Sequence, residues 1–287
     1  MTRRQMLEFC GGLAAMAPIA RGQGGRRKGG ADPGTGPAAK PEDLRLGVCT
    51  YSFHEFQRKL TISLIRQLGV RWVSVNDFHL RYSSAPEELA KARGDFQRAG
   101  LTIASGGTVP LKDEDPRALR RYFDYARACG MPMMVAAPTH AALRAIEALA
   151  KEFDIQIAIH THGPEDEHFP TPQSVLAAVK GLDPRMGLCM DLGHSLRAGV
   201  EVVQAAAEAG GRLLDIHMKD LKSPADKRSQ CDVGEGVMPV AEIFKQLKKM
   251  KYAGCVNLEY EINSDNPLPG MLHSIGYMRG VLAGLAG

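Results

Sequence analysis

From Leu44 onward the chain alternates between short apolar runs and longer segments whose apolar positions recur at helical spacing. The short runs fall at 46–51, 72–76, 102–105 and 133–136 in the first half, and at 155–159, 187–190, 213–218 and 255–258 in the second. Bounded by Gly, Pro and polar residues, they predict strands. Helical segments follow at 62–68, 86–99, 115–129, 139–152, 172–180, 200–209, 240–250 and after Pro267. Asp115-Pro116 supplies a cap and a first helical residue, and Thr139 a second cap. Continuous apolar strands separated by helices predict a parallel sheet covered on both faces. Eight strand–helix pairs predict a closed (β/α)8 TIM barrel over 44–287. The rival is an open doubly wound sheet, which needs a G-x-G-x-x-G after its first strand; Gly47 stands without those partners.

Four of the second-half runs end in a histidine or carboxylate: Ile-His160-Thr-His162-Gly, Met-Asp191-Leu-Gly-His194, Asp-Ile-His217-Met-Lys219-Asp220 and Leu-Glu259-Tyr-Glu261. The carboxyl ends of barrel strands share one mouth, so His160, Asp191, His217 and Glu259 are candidate ligands of a single divalent cation. An aspartate after an apolar strand is also a common helix cap. Here Gly193 and His194 precede the next helical segment, which favours a metal or substrate role for Asp191. Alternation places Leu213, Asp215 and His217 on the barrel's inner face and Leu214 and Ile216 under the helices. Lys219 and Asp220 bring opposite charges to the same strand end. Glu259 is read as a ligand and Glu261 as a solvated loop residue. His160 and His162 share one face, so both can approach the cation, or one of them can instead orient substrate or a ligand, while His194 is a candidate proton shuttle or oxygen-binding donor. The acidic loop 164–168 is read as solvated. His54 and His79 are individually weak candidates for the opposite wall, and loops 78–84 and 223–234 show no decodable motif.

The formal net charge of the 287-residue chain is +4. Residues 1–40 carry seven basic and two acidic groups, a net of +5, which leaves −1 for the rest. A near-neutral barrel offers no basic face for nucleic acid. Thr2-Arg3-Arg4-Gln5-Met6-Leu7 followed by a weakly apolar run to Ala20 predicts a twin-arginine-type export signal over 1–20. The run is too short and too rich in Gly and Ala for a stable membrane span. Residues 21–43, rich in Gly, Pro, Lys and Arg, are expected to form a disordered spacer, and the barrel to be exported to the periplasm. Of the six cysteines, Cys10 lies in the signal. An odd five then remain, with no metal-type pair, which predicts buried thiols rather than a disulfide framework.

The segments Gly187-Leu-Cys-Met-Asp191-Leu-Gly-His194, His217-Met-Lys219-Asp220, Val233-Gly234-Glu235-Gly236 and Leu258-Glu259-Tyr260-Glu261 resemble the sugar phosphate isomerase/epimerase superfamily, the xylose-isomerase-like barrels. The resemblance covers Leu44 to about Leu285. It implies one divalent cation held by a glutamate, an aspartate, a histidine and a second glutamate; the last three become Asp191, His217 and Glu259. His160 stands where the family has its first glutamate. That removes one of the two carboxylates that shuttle protons in ketose epimerases; as a ligand His160 favours Mn²⁺, Co²⁺ or Zn²⁺ over Mg²⁺, and if it is not a ligand it can itself move protons.

The implied chemistry is proton abstraction beside the carbonyl of a sugar or keto-sugar, with Glu259, His194, Lys219 and His162 as candidate catalytic groups. Return of the proton gives isomerisation or epimerisation; loss of a β-substituent gives lyase or dehydratase chemistry. Export favours a free or keto-sugar over a phosphate ester. A non-catalytic sugar- or protein-binding barrel is the alternative from another class. Phosphodiester cleavage needs a multi-metal cluster and a basic face that the sequence lacks. Without long insertions, a lid can come from the neighbouring subunit of a homo-oligomer.

Overall fold

The computed structural model describes residues 44–286. The export signal and spacer expected over 1–43 lie outside the described residues. Eight parallel strands close into a barrel. They are β1 (Arg45–Cys49), β2 (Trp72–Val75), β3 (Thr102–Val109), β4 (Met133–Ala136), β5 (Gln156–His160), β6 (Met186–Asp191), β7 (Leu213–Met218) and β10 (Cys255–Leu258). Each neighbours its successor, and β10 pairs with β1 to complete the circle. An antiparallel hairpin, β8 (Asp220–Leu221) with β9 (Gln230–Cys231), rises from the end of β7.

The surrounding helices bury one stripe each. In α3 (Pro116–Cys129), Leu119, Tyr122, Phe123, Ala126 and Cys129 recur at helical spacing and face the strands. Asp115 caps that helix by accepting from the Arg117 amide at 2.9 Å, a contact worth about 1 kcal/mol. Gly130, at φ 66°, ends it in the left-handed conformation that glycine adopts without strain. In α8 (Val240–Lys249) the same stripe is Val240, Ile243, Phe244 and Leu247. Truncating the fully buried Phe123 or Phe244 to alanine is expected to cost about 3–5 kcal/mol.

Three departures from the pattern reading have local causes. First, β3 runs to Val109 rather than stopping near 105, through Gly106 and Gly107. The Met131 sulfur lies where a Gly106 side chain would project, so the absent side chain is what lets the strand continue there. Second, a short helix, α6 (Leu192–Arg197), starts directly after β6. Gly193 permits it by resting against the Lys219 side chain. Third, strand alternation breaks on β7. Leu188 pairs with Leu213 but Cys189 with Asp215, so Leu214 is the extra residue of a bulge. Leu213 therefore joins the core under the helices, while Leu214 packs against the inner cluster of Met133, Val135, Ala158 and Cys189. That reverses the two leucines relative to strict alternation and leaves Asp215 and His217 facing inward as expected. Cys49, Cys129, Cys189, Cys231 and Cys255 are buried free thiols.

Candidate metal centre

Four strand ends converge at the carboxyl mouth. His160 closes β5, Asp191 closes β6, His217 precedes the last residue of β7 and Glu259 follows β10. One donor atom from each lies within 4.8 Å of the other three. His160 Nε2 and His217 Nδ1 are 3.0 Å apart, His217 Nδ1 is 3.0 Å from Glu259 Oε2, and His160 Nε2 is 3.6 Å from Asp191 Oδ2. All four side chains are buried.

Buried polar atoms normally find partners, yet His160 Nδ1 and His217 Nε2 find no hydrogen-bond partner among the described residues. Two imidazoles and two carboxylates, with one carboxylate oxygen partnered only by the Lys219 ammonium, fit a divalent cation. Burial first, then neighbouring His217 and His162, hold His160 well below the usual histidine range, so it presents a neutral ring. Burial alone would raise Glu259, but the charges of His217 and Lys219 overcome it and keep the carboxylate ionised.

Asp191 has two tasks. Its Oδ1 accepts from the His194 amide at 2.8 Å and caps α6, while Oδ2 faces the other donors. The helix that Gly193 and His194 were expected to delay begins at once, so capping and a place in the donor set are compatible. Thr161 Oγ1 accepts the Asp191 amide at 3.1 Å and steadies the strand end.

Lys219 is the hub that the sequence understates. Its Nζ lies 3.1 Å from Asp191 Oδ2, 3.1 Å from Glu259 Oε2 and 2.8 Å from Glu261 Oε2. Burial would depress an ammonium, and these three carboxylates instead hold it well above its ordinary value. Glu261 is an exposed loop residue, as expected, and is in addition an ion-pair partner of Lys219. Asp220 points away from the donors. Its carboxylate accepts from the amides of Leu221, Gly234, Gly236 and Met238 at 2.8–3.1 Å and clamps the glycine loop.

His162 and His194 form an outer ring. The His162 ring centroid is 4.4 Å from that of His160, and His194 lies 6.1 Å from both. His162 turns its Nδ1 to Asp166 Oδ2 at 3.1 Å and stands outside the close donor set. Asp166 also accepts from the His168 and Phe169 amides, and Glu165 pairs with Arg197, so the acidic loop is tied down rather than merely solvated.

His79 is a structural tie. It is buried, and its ring contacts Thr50, Thr61 and the carbonyls of Phe53 and Phe56 at 3.0–3.1 Å. Tyr51 escaped notice because the first run was expected to end as a strand there. Instead the chain curls into a 3-10 turn (Thr50–Phe53). Burial first, then the charges of Glu261 and Glu259, raise the Tyr51 phenol. With His54 and Phe78, at ring separations of 5.2–6.0 Å, it forms an aromatic wall.

Over 92 residues the chain is 30% identical to an uncharacterized protein of Methanocaldococcus jannaschii, a match covering 31% of each protein. The chain thus spans about a third of that relative's length. Among solved structures, the probable 3-DHS dehydratase AsbF from Bacillus anthracis superposes at a TM-score of 0.69 with 12% identity, covering 82% of this chain and 99% of that one. A D-psicose 3-epimerase superposes at 0.66 with 18% identity, covering 83% and 99%. The family model of the xylose isomerase-like TIM barrel matches residues 62–281. With well over half its length matched and the barrel closed, the chain belongs to the xylose isomerase-like TIM barrel family.

Proposed function

We propose that the protein is a divalent-cation-dependent enzyme that takes a proton from the carbon beside the carbonyl of a sugar or keto-sugar. The observation that carries this reading is the buried convergence of His160, Asp191, His217 and Glu259 around one point, beside the Lys219 ammonium. A cation held there would act as a Lewis acid toward the substrate carbonyl and adjacent hydroxyl. The remaining chemistry belongs to the side chains. Asp166, accepting from His162 Nδ1–H, fixes the tautomer that leaves Nε2 free as a base. Burial first of all holds His162 below its ordinary value, which keeps it neutral and able to accept a proton. Glu259 is the alternative base. Lys219 supplies the fixed positive charge for the oxyanion that develops. Buried beside three carboxylates, it needs no reorganisation to do so.

A reaction that returns the proton is isomerisation or epimerisation. His160 in the place of a glutamate favours a second reading, elimination of a β-substituent, which needs one base and one acid rather than two matched carboxylates. His194 is the candidate acid. Both the epimerase and the dehydratase superposed above share this fold. Export through the N-terminal segment is part of the proposal and favours a free or oxidised sugar over a phosphate ester.

Elemental analysis of protein reloaded with Mn²⁺, Co²⁺ or Zn²⁺ tests the centre. We expect about one equivalent in the wild type and its loss in Asp191→Ala and His217→Ala. Solvent-deuterium incorporation into keto-sugars, followed by NMR, then tests proton abstraction. A wild type that holds no cation after reloading would sink the reading and leave a binding barrel.

A further inference from the structure

The two histidines that face Asp191 and Glu259 also face a thiol. Cys189 is the register partner of His160 across β5 and β6, and alternation along β6 turns it inward like Asp191 two residues on. It belongs to the inner cluster with Met133, Val135 and Ala158 and is fully buried. Its sulfur, one ring nitrogen of His160 and one of His217 lie within 4.8 Å of one another. His160 Nδ1 and His217 Nε2, the nitrogens not turned toward the carboxylates, are both buried and find no hydrogen-bond partner among the described residues. One nitrogen of each imidazole and the cysteine sulfur thus make a compact, buried soft-donor group.

We propose that His160, Cys189 and His217 form a second, deeper cation site that takes thiophilic divalent ions such as Cd²⁺ and Zn²⁺. On binding, the S–H bond of Cys189 breaks, a sulfur–metal bond forms and one proton leaves to solvent; no oxidant or reductant takes part. A neutral imidazole has one lone pair, so each ring serves either the carboxylate-side set or the thiol-side set. Occupation of the deeper site therefore expels a cation from the upper one, and soft metals inhibit the protein by turning its own ligands away. The competition, though not the deeper site, rests on the function proposed above.

Cd²⁺ alone is the probe, titrated into the full chain under reducing conditions and followed by sulfur-to-cadmium charge-transfer absorption in the ultraviolet. We expect the band to saturate at about one equivalent in the wild type, in Cys231→Ser and in Asp191→Asn. In Cys189→Ser, with Cys189→Ala as a second variant checked for folding by circular dichroism, the band should vanish and Cd²⁺ binding weaken by roughly tenfold or more. Absence of the band in folded wild type, or its survival in a folded Cys189 variant, would overturn the assignment. Mn²⁺ bound beforehand and followed by its electron paramagnetic resonance should be released by Cd²⁺ in the wild type and resist release in the Cys189 variants. A chain that holds no Mn²⁺ yet shows the cadmium band would reject the upper centre while leaving the deeper one standing.

Discussion

Lys219 and Asp191 show how much one side chain can carry. Removing the ammonium leaves buried Asp191 and Glu259 with no fixed cation between them. Lys219→Met is therefore expected to lose about 3–5 kcal/mol in metal-free protein, and Mn²⁺ to recover more stability in this variant than in the wild type. Urea unfolding with and without Mn²⁺ checks both. For Asp191, asparagine keeps an oxygen for the His194 amide and alanine does not. Both variants should lose the cation, but they should differ from each other by about 1 kcal/mol, the share of the cap. Elemental analysis and urea unfolding separate the two tasks.

His79 carries a pH dependence opposite in sign to that of a histidine held charged by an ion pair. Burial, only partly offset by the Phe53 and Phe56 carbonyls, lowers its pKa from 6.5. Arg58 and Arg81 act in the same direction as burial. The unfolded chain then binds the proton more readily, so stability rises with pH through the window below 6.5 and is lost as pH falls through it. Replacing His79 with glutamine should flatten that limb when stability is measured between roughly pH 5 and 7.

At the scale of elements, the strand-end hairpin decides the shape of the mouth. Asp220 holds it by gathering the amides of Gly234, Gly236 and Met238. Gly236 is required because a side chain there would strike the Asp220 carboxylate and the Leu221 carbonyl. Asp220→Ala leaves these amides without their acceptor, and about 3 kcal/mol or more of stability should go with it. Faster hydrogen exchange over 233–238 is the direct readout; unchanged exchange there would deny the clamp. Because Lys219 is the neighbouring residue, loss of the clamp should also lower turnover.

For the whole molecule, a cation bound only by the folded barrel ties metal occupancy to global stability. At a free cation concentration of about 100 times Kd, the gain is about 2.7 kcal/mol. For a domain of this size that corresponds to an increase in Tm of roughly 5–10 °C. Scanning calorimetry in EDTA and in Mn²⁺ measures it, and identical Tm values would remove the centre from the account.

The barrel was legible because strands covered on both faces must be apolar throughout, and because the helices between them must bury one stripe each. The four candidate ligands were legible for a related reason: polar residues ending apolar runs have few places to go except a common mouth. Other features depended on partners distant in the chain. Thr161, Tyr51 and the Lys219–Glu261 pair gain their meaning only when separate strands are brought together. The bulge at Leu214, the early start of α6 and the passage of β3 through Gly106 likewise answer to neighbours across the barrel. Hydrophobic period, residue type and strand-end position were thus determined by the sequence alone. Which atoms meet, and which nitrogen of each histidine faces a carboxylate, was decided only by closure of the barrel, because side-chain direction at a strand end depends on register with the strands beside it.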